Sequence, residues 1–221
     1  MVIKSYYINA LKLGILLIVG LLLINYFIDQ QRITKLNEEF LNSAWQMQDS
    51  KLFLLFNQFI NENDKDSYCN MLNQRLAQII NRNSMFLEKL KQYEKVNVLS
   101  NDYKQLKTTF SLNHLELFFY YVDFKKKCNN NVHYILYFYP ENIDCMKCSV
   151  QADVLDNVRD SCSDVFIFAL PTNSDIDIIN LINNQYNITE TPSIVIDDKT
   201  FNGLVDKDSI IKEINCKNAN L

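Results

Sequence analysis

Residues 132–148 read VHYILYFYPENIDCMKC. Val132 to Tyr139 is a short apolar run rich in β-branched and aromatic residues, and it reads as a buried strand. Cys145 and Cys148 follow, three residues apart, at the start of a stretch that reads as a helix to about Arg159. A closely spaced thiol pair between a strand and a helix is the layout of a redox-active dithiol. Cys145 falls at the helix start. There, free backbone N–H groups and the positive end of the helix dipole favour a thiolate over a thiol. The thiolate is the form that attacks disulfides.

Downstream the pattern keeps alternating. Val165 to Leu170 (VFIFAL) reads as a second strand, and Asp175 to Tyr186 as a helix with Ile178, Ile179 and Ile182 inward. Ser193 to Ile196 is a third strand. A short turn at Asp197 to Lys199 leads to a fourth, Thr200 to Asn202, then Gly203 and a last helix from Asp206 to about Cys216. The order is βαβαββα. It implies a parallel pair joined by a helical crossover and a closing antiparallel pair. The predicted fold class is α/β.

Upstream, KKKCNNN at 125–131 marks a break in composition, and residues 29–128 read as helical. Tyr68, Leu72, Leu76, Ile79, Ile80, Leu87, Leu90 and Tyr93 recur at helical steps, with Ser67 as a candidate cap. A second stripe runs through Tyr103, Leu106, Phe110, Leu117, Phe118 and Val122, with Ser100 as its candidate cap. Ile33, Leu36, Phe40 and Trp45 form a third, Leu52 to Ile60 is strongly apolar, and Asn61 to Asp66 is the clearest turn. A hairpin or small bundle of three to five helices is expected. The aromatic stretch 117–124 (LFFYYVDF) reads as the core between helices and sheet, with a substrate groove or a dimer face as the other readings.

The first segment bears on compartment. Leu13 to Ile28 carries no charge. With Tyr7 to Lys12 it is long enough to cross a bilayer, which takes roughly 20 residues. Lys12 near its edge can extend to the headgroups, and Tyr6, Tyr7, Tyr26 and Phe27 suit the two interfaces. Lys4 and Lys12 flank the N-terminal side, whereas Asp29 comes first on the other. The expected orientation is a single-pass anchor with a cytoplasmic N-terminus and an extracytoplasmic C-terminal domain. A cleaved signal peptide would need small residues, and Ile24 to Gln31 offers none. Three domains are expected: an anchor at 1–28, a helical region at 29–128 and the α/β domain at 129–221.

Net charge is −4 among 221 residues, without a basic stripe, so no nucleic-acid partner is expected. Six cysteines are compatible with an oxidising compartment. Asn187-Ile188-Thr189 is a glycosylation sequon. A structural disulfide or half a zinc site are other readings of Cys145 and Cys148. Zinc would need four ligands. The remaining cysteines are isolated, and His114 and His133 read as packing or surface residues.

Over about residues 131–217 the chain resembles the thioredoxin-like superfamily. Three features carry the resemblance: Cys145-Met146-Lys147-Cys148 after the first strand, Thr191-Pro192 directly before the third (TPSIVI), and Gly203 before the terminal helix. The resemblance implies a cis Pro192 facing the dithiol, with Thr191 presenting its backbone to a substrate chain. It implies that Cys145 attacks and that Cys148 resolves the mixed disulfide. Lys147 lowers the Cys145 pKa and Asp144 acts in the opposite sense. The chain departs from the family at the Met-Lys dipeptide, at Asp144 in place of an aromatic residue, and in lacking the acid of the first strand. Tyr139 stands at that spacing, and Glu141 is the nearest substitute. On the implied topology Cys162 and Cys216 can meet, and Cys69–Cys128 can clip the helical region to the redox domain. Free buried thiols are the alternative. The implied activity is thiol–disulfide exchange with cysteine-bearing proteins, with no dissociable cofactor and no metal. Its partners would be those substrates, the membrane, an electron donor or acceptor, and a second copy of the chain. A non-catalytic binding or scaffold module is the alternative, followed by a metallochaperone.

Overall fold

The computed structural model describes residues 2–56, 59, 64–94, 101–128, 130–141 and 144–216. It contains, in order, α1 (Val2–Phe56), α2 (Lys65–Glu94), α3 (Asn101–Lys127), β1 (His133–Tyr139), α4 (Met146–Ser161), β2 (Val165–Pro171), α5 (Asp177–Gln185), β3 (Ser193–Ile196), β4 (Lys199–Asn202) and α6 (Lys207–Ile214). The chain divides into two compact units, Met1–Leu52 and Phe53–Leu221. The boundary expected between residues 128 and 129 falls inside the second.

The first unit is helical, part of the single helix α1. The apolar stripe at Ile33 to Trp45 and the apolar run from Leu52 lie on one continuous helix as far as Phe56. No Gly or Pro interrupts it after Gly20, so nothing breaks the hydrogen-bond ladder. Leu13, Leu16, Leu17, Leu21, Leu22 and Leu23 are 61–73% exposed. The helix is long and apolar enough to be a membrane span or a signal sequence.

In the second unit, four strands lie in the order β2-β1-β3-β4. β1 runs parallel to β2, with α4 between them in sequence, and antiparallel to β3; β3 and β4 are antiparallel. The βαβαββα order is the one the sequence pattern predicts, with element ends within two residues.

Strand parity divides the core in two. Tyr134, Leu136 and Phe138 of β1, Phe168 and Leu170 of β2 and Val195 of β3 pack with α2, α3 and α5. Ile135 and Tyr137, with Ile194 and Ile196, pack on the other face with α4 and α6. Alternate side chains of a strand point to opposite faces, so β1 is buried on both.

α2 and α3 run antiparallel, as contacts at one end and midway along them show. Arg82 pairs with Glu116 and Asn83 Nδ2 donates to the Asn113 carbonyl, while Cys69 bonds Cys128. Cys69–Cys128 therefore ties the two arms of this hairpin together. Leu117, Phe118, Tyr120, Tyr121 and Phe124 are buried, and the Tyr121 ring stacks on Phe166 with centroids 3.9 Å apart. The 117–124 stretch is thus core. Ser67 does not cap α2, because the helix already begins at Lys65. Residues 61–63 of the expected turn, and Ser100, lie outside the described residues.

At the end of the sheet where β1 begins, the β3–β4 turn is pinned. Asp197, at φ 54°, receives Lys125 Nζ at 2.6 Å, His133 Nδ1 at 2.9 Å and the Tyr134 N–H at 3.3 Å. Burial pushes the Asp197 carboxyl up, but the Lys125, His133 and Tyr134 hydrogen bonds and the Lys125 charge together outweigh it and hold the group below its usual range. His133 is therefore a hydrogen-bond partner of Asp197 and not simply packing. His114 lies against Phe110 and Phe168, and burial pushes its imidazole down to about 4.

Cys162, at the end of α4, is bonded to Cys216 beyond α6. Removing Cys69 and Cys128, 59 residues apart, by paired Ser substitution should lower stability in urea by about 2–4 kcal/mol through loss of loop closure. A folded-state carboxyl below its unfolded value stabilises above the unfolded pKa and ceases to as pH falls through the folded one. Asp197→Asn should therefore be less stable than the wild type at pH 7, and the gap should narrow below about pH 4. Urea midpoints at both pH values measure this.

Candidate functional site

α4 begins where it does because Cys145 is extended, at φ −133° and ψ 89°, and serves as its N-cap. The Cys148 N–H is shared between the Cys145 carbonyl at 3.0 Å and Cys145 Sγ at 3.2 Å, and the same carbonyl accepts the Ser149 N–H at 3.2 Å. An amide N–H directed at the sulfur stabilises negative charge on it, as does the helix N-terminus. The two cysteines form a disulfide.

The pair is asymmetric. Cys145 is half-buried, whereas Cys148 is 6% exposed and packs with Tyr137 and the α4–α6 core. The residues between them face solvent: Met146 is 82% exposed and Lys147 is exposed, as is Asp144 before them. A sulfur nucleophile approaching from solvent meets Cys145 first. Tyr137, which sequence reading did not single out, donates from its hydroxyl to the Cys148 carbonyl at 2.7 Å. This ties the first turn of α4 to β1.

The sheet register gathers the other candidates at the same end. Phe138, next to last in β1, pairs with Ser193, the first residue of β3. The segment leading to Cys145 and the Thr191–Pro192 peptide thus leave the sheet side by side. That peptide is cis; Pro192 is buried and Thr191 half-buried. The Pro192 carbonyl accepts the Gly203 N–H at 2.9 Å. Gly203 has φ 85°, where a Cβ would be strained. Two residues on, Val205 is held to α4 by a double bond pattern. Its N–H donates to Gln151 Oε1 at 2.7 Å, and its carbonyl accepts Gln151 Nε2 at 3.2 Å. Gln151 is fully buried. Sequence reading placed Val150, Val154 and Leu155 inward but did not single out Gln151 beside them.

Glu141 lies apart from the cysteines in its bonding. Its carboxylate meets Lys107 Nζ of α3 at 2.5 Å. Its backbone N–H donates to Asn173 Oδ1 at 2.5 Å, and its carbonyl accepts Asn173 Nδ2 at 2.8 Å. Burial disfavours the Lys107 charge, but the hydrogen bond and charge of Glu141 outweigh it, holding Lys107 above its ordinary range. The structure thus pairs Glu141 with a cation. Among the described residues, no group of three or more His, Cys, Asp or Glu side chains is placed to hold a metal ion.

No protein-family model matches the chain. No curated protein matches it. Solved structures with a likeness to it include thioredoxin-2 of the malaria parasite, described as a component of that parasite's protein secretion machinery. It is 14% identical, the alignment covers 38% of this chain and 82% of that one, and the TM-score is 0.32. A chloroplastic thioredoxin z is 19% identical, with 40% of this chain and 80% of that chain covered and a TM-score of 0.33.

Proposed function

We propose that the protein exchanges disulfides with cysteine-bearing polypeptides through Cys145 and Cys148, from a domain anchored by α1 outside the cytoplasm. The observation that carries this reading is the asymmetry of the pair. One cysteine is half-buried at a helix start with an N–H shared by its sulfur, and the other is buried one turn further on.

In the reduced protein the Cys145 thiolate attacks one sulfur of a substrate disulfide. A Cys145–substrate disulfide forms, and the other substrate sulfur leaves as a thiolate. Cys148 then gives up its proton to solvent and attacks Cys145 Sγ, and the second substrate sulfur departs. Two electrons have passed from the pair to the substrate. In reverse, the Cys145–Cys148 disulfide takes two electrons from a substrate dithiol, with Cys148 as the first leaving thiolate. Catalytic turnover in either direction needs a second dithiol–disulfide partner, such as a membrane-borne donor or acceptor, to restore the pair. Thr191 and Pro192 would border the substrate strand, and Lys147 and Asp144 would bias the Cys145 thiol in opposite senses.

The scaffold alternative would be marked by a dithiol covered by the helical region or by a very low reduction potential. The hairpin packs on the sheet face carrying Tyr134, Leu136 and Phe138, whereas Cys148 belongs to the opposite face. This favours exchange. The anchored placement draws on the exposed apolar residues of α1, the flanking Lys4 and Lys12, and the three disulfides, which persist in oxidising compartments.

Cys145→Ser should abolish reduction of insulin disulfides, and Cys148→Ala should accumulate a mixed disulfide visible on non-reducing gels after acid quenching. Full activity in Cys145→Ser would overturn the assignment. A chain lacking residues 1–28 should leave the carbonate-resistant membrane fraction; retention there would place the anchor elsewhere.

A further inference from the structure

Among the described residues of the second unit, three Lys or Arg side chains pair with a carboxylate with both partners less than one-third exposed. Arg82–Glu116 lies within the hairpin, and Lys125–Asp197 lies where β1 begins. The third, Lys107–Glu141, joins the hairpin to the segment that runs into Cys145. We propose that Lys107 and Glu141 are a positioning pair through which the α2–α3 hairpin sets the reactivity of Cys145. The proposal rests on the reading of Cys145 as the attacking sulfur.

The backbone at Glu141 is already fixed without its side chain. Asn173 holds both its N–H and its carbonyl, and Thr172 donates its N–H to the Tyr139 carbonyl at 2.8 Å. The Glu141 carboxylate is therefore not needed to shape this part of the loop. Nor is a partly buried ion pair a strong source of stability, because desolvation offsets most of its Coulomb energy. The pair has side-chain exposures of only 30% and 18%, so it is screened less than a surface pair. Its location, and not its strength, is informative.

Glu141 stands four residues before Cys145, so their Cα atoms can be no more than about 14 Å apart. Together Lys107 and Glu141 are close to neutral. Either one alone would be a net charge close in sequence to Cys145, in a partly desolvated place where salt screens it less. Asp144 and Lys147 flank Cys145 in sequence, and Tyr103 and Tyr139 act with Glu141 on Lys107. Of these, only Lys107 and Tyr103 come from the hairpin. A helix outside the βαβαββα unit thereby supplies the countercharge that keeps Glu141 from opposing the thiolate.

The sign of the effect separates this role from a structural one. Lys107→Met leaves Glu141 uncompensated and disfavours the thiolate. Glu141→Gln leaves Lys107 uncompensated and favours it. The test is the rate at which iodoacetamide alkylates Cys145 in the reduced full-length chain, followed across pH by mass spectrometry of the Cys145 peptide. Below the thiol pKa, Lys107→Met should react about two- to threefold more slowly than wild type, and Glu141→Gln faster by a similar factor. The double variant and Lys107→Arg should both lie near wild type. Two single variants shifted in the same direction would reveal only a loss of structure and would overturn the proposal, as would no shift in either. Insulin reduction by the wild type is measured alongside. Opposite shifts in a wild type inactive on insulin would support the pair and remove the exchange reading.

Discussion

A strand buried on both faces has to be covered twice. β1 alternates Tyr134, Leu136 and Phe138 toward one core and Ile135 and Tyr137 toward the other. Helices α4 and α6 cover the second face and bring the dithiol with them. On the first face the short helix α5 contributes Ile179 and Ile182, and the α2–α3 hairpin supplies the rest of the cover. Without the hairpin, Phe118 and Tyr121 would be lost from the rings of Tyr134, Phe166 and Phe168, and a contiguous aromatic surface would meet water. Exposed apolar patches of that kind are rare on monomers. The hairpin is thus part of the fold that carries the site, which is why a charge on α3 can reach the segment before Cys145.

The site is assembled by backbone groups more than by side chains. Pro192 and Gly203 meet through a carbonyl and an amide, and Val205 offers both its backbone groups to one glutamine. The residue types that matter here are those the backbone geometry requires: proline where the peptide is cis, glycine at positive φ, and a buried amide able to donate and accept at once. Everything exposed between them, such as Met146 and Lys147, is free to vary without disturbing the frame.

These differences explain what the sequence revealed. The strands 133–139, 165–171 and 193–196 were legible because apolar runs of that length between turn residues have few other readings. The place of Cys145 at a helix start, and of Thr191-Pro192 directly before a strand, followed from element order. The Lys107–Glu141, Tyr137–Cys148 and Gln151–Val205 contacts were not legible. Two of them link residues far apart in sequence, and the third joins a tyrosine ring to a helix carbonyl, a bond that leaves no periodic trace. The continuity of α1 was available in principle from the lack of Gly and Pro after Gly20. Its apolar stripes do not signal that continuity, because Trp45 and Leu52 are exposed and not packed. Ser67 failed as a cap for a similar reason: a capping residue type is common, and only the φ/ψ of the start decides.

The three disulfides differ in what opening them would do. Cys69–Cys128 and Cys162–Cys216 join residues 59 and 54 apart, so each constrains the unfolded chain by about 4 kcal/mol in the loop-closure account. Cys162 is also 1% exposed, out of reach of a sulfur nucleophile in the folded state. Cys145–Cys148 spans three residues, for which the same account gives only about 2 kcal/mol. Its turn is held independently by the N–H groups of Cys148 and Ser149 and by the Tyr137 hydroxyl. Breaking this bond therefore costs the fold least, and the geometry around it has reason to persist when it is open. A pair that must pass between dithiol and disulfide without unfolding its surroundings needs both conditions, and of the three only the one at residues 145 and 148 meets them.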